Sequence, residues 1–80
     1  MNDDVRFDGK RIYAAGAASA ALYDIRGNRI HETGMASQPK YEIRGNHIRV
    51  YMSAAQPKFE IKRDEIHDYL SAGSALYEIR

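Results

Sequence analysis

Five pairs of apolar residues, each pair separated by one polar residue, recur at a constant interval along this 80-residue chain. The pairs are Val5/Phe7, Tyr23/Ile25, Tyr41/Ile43, Phe59/Ile61 and Tyr77/Ile79. Each pair begins 18 residues after the previous one, with no insertion between them. A fixed period in this range is the signature of a repeat protein, in which every unit is a copy of the same small supersecondary structure.

The period divides the chain into four complete units and the opening of a fifth. The units are 5–22, 23–40, 41–58 and 59–76, followed by the fragment 77–80, and together they form a single predicted domain, 1–80. The second and third units begin with the pattern Tyr-acid-Ile-Arg-Gly-Asn-x-Ile, at 23–30 and 41–48. The first and fourth units carry weaker copies of it, with Gly9-Lys10 and Arg63-Asp64 at the turn.

Apolar and polar residues alternate on both sides of the Gly-Asn pair, which predicts a β-hairpin with a two-residue loop. Because glycine comes first, we expect a type II′ turn, whose first central residue has a positive φ. A loop at 27–28 pairs Ile25 with Ile30 and Asp24 with His31. The same register pairs Glu42 with Arg49 and Glu60 with His67, so one face is apolar and the other carries acid–base pairs.

The predicted fold class is therefore all-β, with four hairpin repeats, an additional C-terminal strand and about nine strands in total. Two architectures bury the apolar faces. In a closed ring or flower, the C-terminal strand 76–79 pairs near the N-terminal strand 5–7 and removes the open edge. In a compact hairpin solenoid, the same strand is an exposed edge that can join a second copy into a homodimer. We favour the closed ring.

The connectors between hairpins share one uniform column of alanines, which predicts close contacts between neighbouring units. Its members are Ala18, Ala36, Ala54 and Ala72.

The repeat pattern resembles bacterial and phage proteins built from short tandem β-hairpins, including four-fold "β-flower" proteins. The stretch 23–29 is also similar to the tyrosine–aspartate repeats of large secreted toxin shells, although those arrays are far longer. Small cysteine-free repeat proteins of this style resemble phage-encoded inhibitors of host defence, such as anti-CRISPR proteins. This resemblance implies a protein that acts by docking on a host component.

No residue pattern in the chain predicts catalysis, a metal site or a cofactor. His31 and His67 share their repeat column with Tyr13 and Arg49, so we interpret them as exposed cross-strand partners of acids. There is no cysteine, and the serines lie in connectors without a nucleophile elbow. The turn glycines are single residues and do not form a phosphate-binding loop. We therefore expect a non-enzymatic protein without a cofactor.

Charge placement favours binding. Net charge is only +1, yet basic residues concentrate on the polar face and turns of the middle hairpins, and unburied tyrosine near arginine is typical of interfaces. If the units stack in parallel, the column Asp8, Arg26, Arg44, Lys62 and Arg80 forms a mainly basic row. The candidate partner-binding residues are Arg26, Arg29, Arg44, His47, Arg49, Tyr51, Lys58, Lys62 and Arg63.

The expected partner is a host protein or nucleoprotein complex. The alternatives are direct binding of nucleic acid by the same residues and a structural, self-assembling phage subunit. A direct nucleic-acid binder usually has a pI above about 9, and this chain has a pI of 8.0, so a protein or nucleoprotein partner is favoured. No apolar run approaches the roughly 20 residues that span a bilayer. We expect a cytoplasmic protein, in the host cytoplasm if a phage encodes it.

Overall fold

The computed structural model describes residues 3–16, 20–34, 38–53, 55–71 and 73–80. These residues contain one short 3-10 helix, Asp3–Val5, and eight β-strands. The strands are β1 Arg11–Ala14, β2 Tyr23–Arg26, β3 Arg29–Glu32, β4 Tyr41–Arg44, β5 His47–Val50, β6 Phe59–Lys62, β7 Glu65–Asp68 and β8 Tyr77–Ile79. The all-β prediction is confirmed.

The strands form one closed antiparallel barrel in sequence order, and β8 pairs with β1 to close it. The predicted ring is therefore confirmed over the open solenoid. Ile25 lies opposite Ile30 and Asp24 lies opposite His31. The pairs Glu42/Arg49 and Glu60/His67 also form as the alternation predicts. All hairpin turns lie at one end of such a barrel, here called the turn end, and the longer links lie at the connector end.

The prediction of an N-terminal strand at Val5–Phe7 is wrong. Residues Asp3–Val5 form the 3-10 helix, and β8 takes the place of the missing strand. Ile79 lies opposite Ile12 and Tyr77 lies opposite Ala14. The physical reason is fit, because the fragment 77–80 repeats the Tyr-acid-Ile-Arg pattern and places another isoleucine in the core. The barrel accordingly has eight strands, not nine.

The core consists of three rings of side chains along the barrel axis. The ring nearest the turns contains Ile25, Ile43, Ile61 and Ile79, and the middle ring contains Ile12, Ile30, Ile48 and Ile66. The third ring is aromatic and lies at the connector end. Its members are Tyr23, Tyr41, Phe59 and Tyr77, packed edge to face with centroids 5.7 to 6.2 Å apart. Such contacts add to the stabilisation from apolar burial.

Hydrogen bonds of the N-terminal segment hold it against the turn end. The Asp8 carboxylate accepts a hydrogen bond from the Gly27 amide at 2.7 Å, and the Asp4 carboxylate accepts one from the Gly45 amide at 2.7 Å. Phe7 packs against the core from this side. Gly27 and Gly45 have φ values of 64° and 61°, in agreement with the type II′ prediction.

The alanine column Ala18, Ala36, Ala54 and Ala72 lies outside the described residues, so the predicted close contact there stays a prediction. Among the residues that the structure describes, no helix is long and apolar enough to cross a bilayer.

Candidate interaction surface

Outward-facing side chains form four rows, and each row contains one residue from each of three neighbouring strands. The central residue of every row is acidic. The registers give the rows Arg11–Asp24–His31, Arg29–Glu42–Arg49, His47–Glu60–His67 and Glu65–Glu78–Tyr13. In the first three rows the central acid is flanked by arginine or histidine. The fourth row crosses the β1–β8 pairing that closes the barrel, here called the closing seam, and it places Glu65 opposite Glu78. The outer surface is therefore not four-fold symmetric in charge.

The predicted basic row does not form, because the strands that carry it lie around a closed barrel. Arg26, Arg44 and Lys62 end β2, β4 and β6 respectively, so their side chains leave the barrel in different directions. Two of these cations also lie near an acid of their own strand. Arg44 Nε is 3.0 Å from Glu42 Oε1, and Arg26 is 4.0 Å from Asp24.

Two contacts between neighbouring hairpins each bring a base together with a tyrosine, and three of the four residues were predicted: Arg29, His47 and Tyr51. The Arg29 guanidinium lies over the Tyr51 ring, 5.3 Å from its centroid. The His47 ring meets the Tyr69 ring edge-on at a centroid distance of 5.4 Å. Arg29 and His47 each begin the second strand of a hairpin, and Tyr51 and Tyr69 each follow the last strand of the next hairpin. The two contacts are therefore equivalent and lie one repeat apart. A cation over an exposed aromatic face contributes about 0.5–1 kcal/mol.

Arg44 and Arg49 line an open groove on the β4–β5 hairpin, together with Glu42, Met52 and Ser53. The Arg49 guanidinium donates a hydrogen bond to the Ala55 carbonyl oxygen at 2.9 Å. This bond holds the connector after β5 against the strand and fixes the position of the charge. The groove carries two guanidinium groups and one carboxylate, so its net charge is positive.

The other predicted residues lie apart from this groove. Lys62 and Arg63 lie at the turn of the β6–β7 hairpin, and Lys58 lies in the connector before β6. Arg26 belongs to the neighbouring β2–β3 hairpin. Arg63 has a φ of 62°, in the left-handed region where the first three units have glycine, with φ values of 86°, 64° and 61°.

Residues Met52 and Leu70 were not among the predicted interaction residues, although both side chains are large, apolar and largely exposed, at 84% and 79%. They share a repeat column with Gly16 and Gly34. The replacement of glycine by an apolar residue within one column was the sequence signal that could have identified them.

Burial and neighbouring groups shift two pKa values near the connector end. Burial, with Tyr41 and Tyr77 close by, raises the pKa of the Tyr23 hydroxyl. The hydrogen bond and charge of Glu32 raise the pKa of Lys40, whose Nζ lies 3.3 Å from Glu32 Oε1. Among the described residues, no group of three or more metal-ligating side chains is placed to hold a metal ion.

None of the protein-family models, curated proteins or solved structures compared with this chain matches it. The likeness to tandem β-hairpin proteins therefore stays a resemblance, and the barrel is established by the structure of the chain itself.

Proposed function

We propose that this protein is a non-enzymatic interaction protein that docks on an acidic surface of a partner protein or nucleoprotein complex. The observation that supports this most directly is the repeated contact of a base with an outward tyrosine, Arg29 with Tyr51 and His47 with Tyr69. Arginine and tyrosine are the residue types that most often dominate binding energy at protein interfaces. Here they are held in fixed positions before any partner binds, which lowers the entropic cost of binding.

The interior supports a binding role over an internal site. The buried residues that the structure describes are apolar, with no polar or charged side chain among them. The groups able to recognise a partner therefore belong to the outer rows and the connector end. The anti-defence role implied by the resemblance is one form of this proposal, in which docking covers a nucleic-acid groove of a host complex.

The proposal is tested by immobilising the tagged protein and measuring capture from bacterial lysate with and without nuclease. The decisive comparison uses the double variant Arg29→Glu/Arg44→Glu against wild type. We expect a nuclease-resistant partner whose capture is lost in the double variant. The charge reversal Lys10→Glu is a matched control, since Lys10 is exposed and immediately precedes β1, away from the β4–β5 groove. Equal capture by the double variant and wild type would contradict the proposed face.

A second candidate is direct binding of nucleic acid, favoured by aromatic side chains interleaved with bases. The closed barrel places Arg26, Arg44 and Lys62 at separate points around its circumference. These three cations therefore do not form a continuous track for a phosphate backbone. This candidate predicts affinity for single-stranded nucleic acid that falls steeply with salt concentration. Absence of binding at low salt would remove it.

The third candidate, self-assembly through the C-terminal strand, has a structural cost. β8 pairs with β1 on one side and with β7 on the other. Strand addition by β8 would first have to open the β1–β8 pairing. Sedimentation over a wide concentration range tests this candidate, which predicts a concentration-dependent dimer.

A further inference from the structure

One repeat column has a left-handed backbone in every unit, yet only half of its members are glycine. Gly16, Gly34, Met52 and Leu70 have φ values of 72°, 77°, 63° and 61°. This conformation is unfavourable for residues with a Cβ atom and is rare for bulky ones. The third and fourth units therefore place a large apolar side chain where the first and second units have the residue that the backbone favours.

The local turn directs these side chains away from the barrel. The Ser53 amide donates to the Val50 carbonyl oxygen at 3.1 Å, and the Ser71 amide donates to the Asp68 carbonyl oxygen at 3.2 Å. Each bond closes a four-residue turn whose third residue is Met52 or Leu70. The exposed fractions of 84% and 79% are consistent with side chains that project into solvent. Because the fold buries neither side chain, their apolar character does not stabilise it.

Each projecting side chain follows directly after a tyrosine that the neighbouring hairpin holds in place. Tyr51 precedes Met52 and lies under Arg29, and Tyr69 precedes Leu70 and meets His47. The strained positions thus coincide with the aromatic contacts of the proposed docking surface. Strained backbone that the fold does not need is a recognised mark of functional sites.

The four units differ at these two neighbouring repeat positions. At the positions of Tyr51-Met52 and Tyr69-Leu70, the second unit has Thr33-Gly34 and the first has Ala15-Gly16. The aromatic and apolar side chains are therefore confined to the third and fourth units, on neighbouring hairpins joined through β5 and β6. One side of the connector end is built differently from the other.

The groove beside Met52 carries mainly basic side chains. Met52 lines the groove with Arg44, Arg49 and Glu42. The Tyr69 amide, next to Leu70, donates to the carbonyl oxygen of Lys58 at 3.3 Å, which places the Lys58 backbone beside the second projecting residue. The complement of such a surface is an extended segment that carries carboxylates and apolar side chains.

We propose that Met52 and Leu70 are paired apolar anchors of a docking site for an acidic, apolar-bearing peptide segment of a partner protein. In this site the carboxylates of the segment meet Arg44 and Arg49, and its apolar side chains pack on Met52 and Leu70 beside the two tyrosines. The inference rests on the proposed function and specifies its partner chemistry.

A display library of short random peptides tests this inference, because it samples partner chemistry without requiring the natural partner. Selection is run on wild type and on the double variant Met52→Gly/Leu70→Gly, which restores the residue of the first two units. We expect peptides selected on wild type to be enriched in acids and large apolar residues, and to bind the double variant about tenfold or more weakly. Equal affinity for both proteins, or enrichment in bases, would overturn the inference.

Three further measurements make the outcome unambiguous. The double variant should retain the wild-type circular dichroism spectrum and melt at or above the wild-type temperature, because glycine suits the positive φ at both positions. The control variant Gly34→Met should leave peptide affinity unchanged. If sedimentation shows a wild-type dimer that the double variant loses, a second copy covers these residues and the inference is wrong.

Comparison with Arg29→Glu/Arg44→Glu separates failure of this inference from failure of the proposed function. Peptides lost by charge reversal but retained by the glycine double variant would overturn the anchors and leave the proposed docking face intact. Peptides that bind wild type and both double variants equally would overturn both.

Discussion

Ile12 on the first strand faces Ile79 on the last, in the same register that pairs Ile25 with Ile30 inside a hairpin. The two residues are 2% and 3% exposed. The closing seam therefore repeats a hairpin without the connecting turn, and backbone hydrogen bonds join Arg11 and Arg80 in both directions at 2.9 and 3.0 Å. The last residues of the chain complete the first unit of the repeat.

The seam should be as important for stability as any hairpin. We expect Ile79→Ala to lower the free energy of unfolding by about 2–5 kcal/mol, the usual cost of truncating a buried isoleucine. Urea denaturation followed by circular dichroism measures this loss. Leu76→Ala, at a residue that is 41% exposed, is the control and should cost much less. A double-mutant cycle with Ile12→Ala should show coupling, and strict additivity would contradict direct packing across the seam.

The turn of the β6–β7 hairpin carries avoidable strain. Arg63 has a φ of 62° where Gly9, Gly27 and Gly45 occupy the same column. We expect Arg63→Gly to raise the free energy of unfolding by about 0.5–1 kcal/mol, because relief of the left-handed backbone exceeds the extra entropy of glycine in the unfolded chain. The reverse substitution Gly27→Arg should destabilise the protein. Thermal melts of both variants check the prediction, which a lower melting temperature for Arg63→Gly would contradict.

The N-terminal segment should act as a clamp on the turns. The carboxylate of Asp8 accepts the Gly27 amide hydrogen bond at 2.7 Å, so Asp8→Ala should remove about 0.5–1.5 kcal/mol of stability. Amide hydrogen exchange at Gly27 should become faster, while exchange at Gly45, which Asp4 holds, should change little. Asp3→Ala serves as the control. Unchanged exchange at Gly27 would show that the bond does not protect this turn.

Protonation of Glu78 at low pH should destabilise the protein. The Gly16 amide, 2.9 Å from Glu78 Oε1, and the Arg80 guanidinium lower the pKa of Glu78 below its usual value of 4.5. A carboxylate with a lowered pKa in the folded state stabilises the protein above the unfolded-state pKa, and this contribution is lost as the pH falls through the folded-state value. We expect the melting temperature of Glu78→Gln to depend less on pH than that of wild type below pH 4.5. Identical pH profiles would contradict this role.

High pH should destabilise the protein through the four packed aromatic residues at the connector end. Burial and the neighbouring hydroxyls of Tyr41 and Tyr77 raise the pKa of Tyr23 above its usual value of 10.0. A group with a raised pKa stabilises the folded state below the unfolded-state pKa, and stability is lost as the pH rises through the folded-state value. Tyr23→Phe, which copies Phe59, should therefore lose less stability above pH 10.0 than wild type. An ultraviolet titration of tyrosinate combined with thermal melts measures both effects.

The sequence by itself determined the hairpins. Strict alternation around Gly27-Asn28 and Gly45-Asn46 specifies which residues face inward, because a shift of one residue would expose every isoleucine. The acid–base pairs on the outer face, such as Glu42/Arg49, followed from the same register. A period of 18 residues without insertions then required the units to pack on one another.

Only the tertiary structure decided how the ends of the chain are used. Residues 5–7 and 77–79 both carry the apolar spacing of a first strand, and a local pattern cannot choose between two segments that compete for one position. Closure selected Tyr77–Ile79, which supplies the isoleucine and tyrosine that complete the inner rings, and left Phe7 to pack against the core at the turn end. Closure also dispersed Arg26, Arg44 and Lys62 around the barrel, because the direction of an outward side chain depends on the curvature of the sheet and not on its position in the repeat.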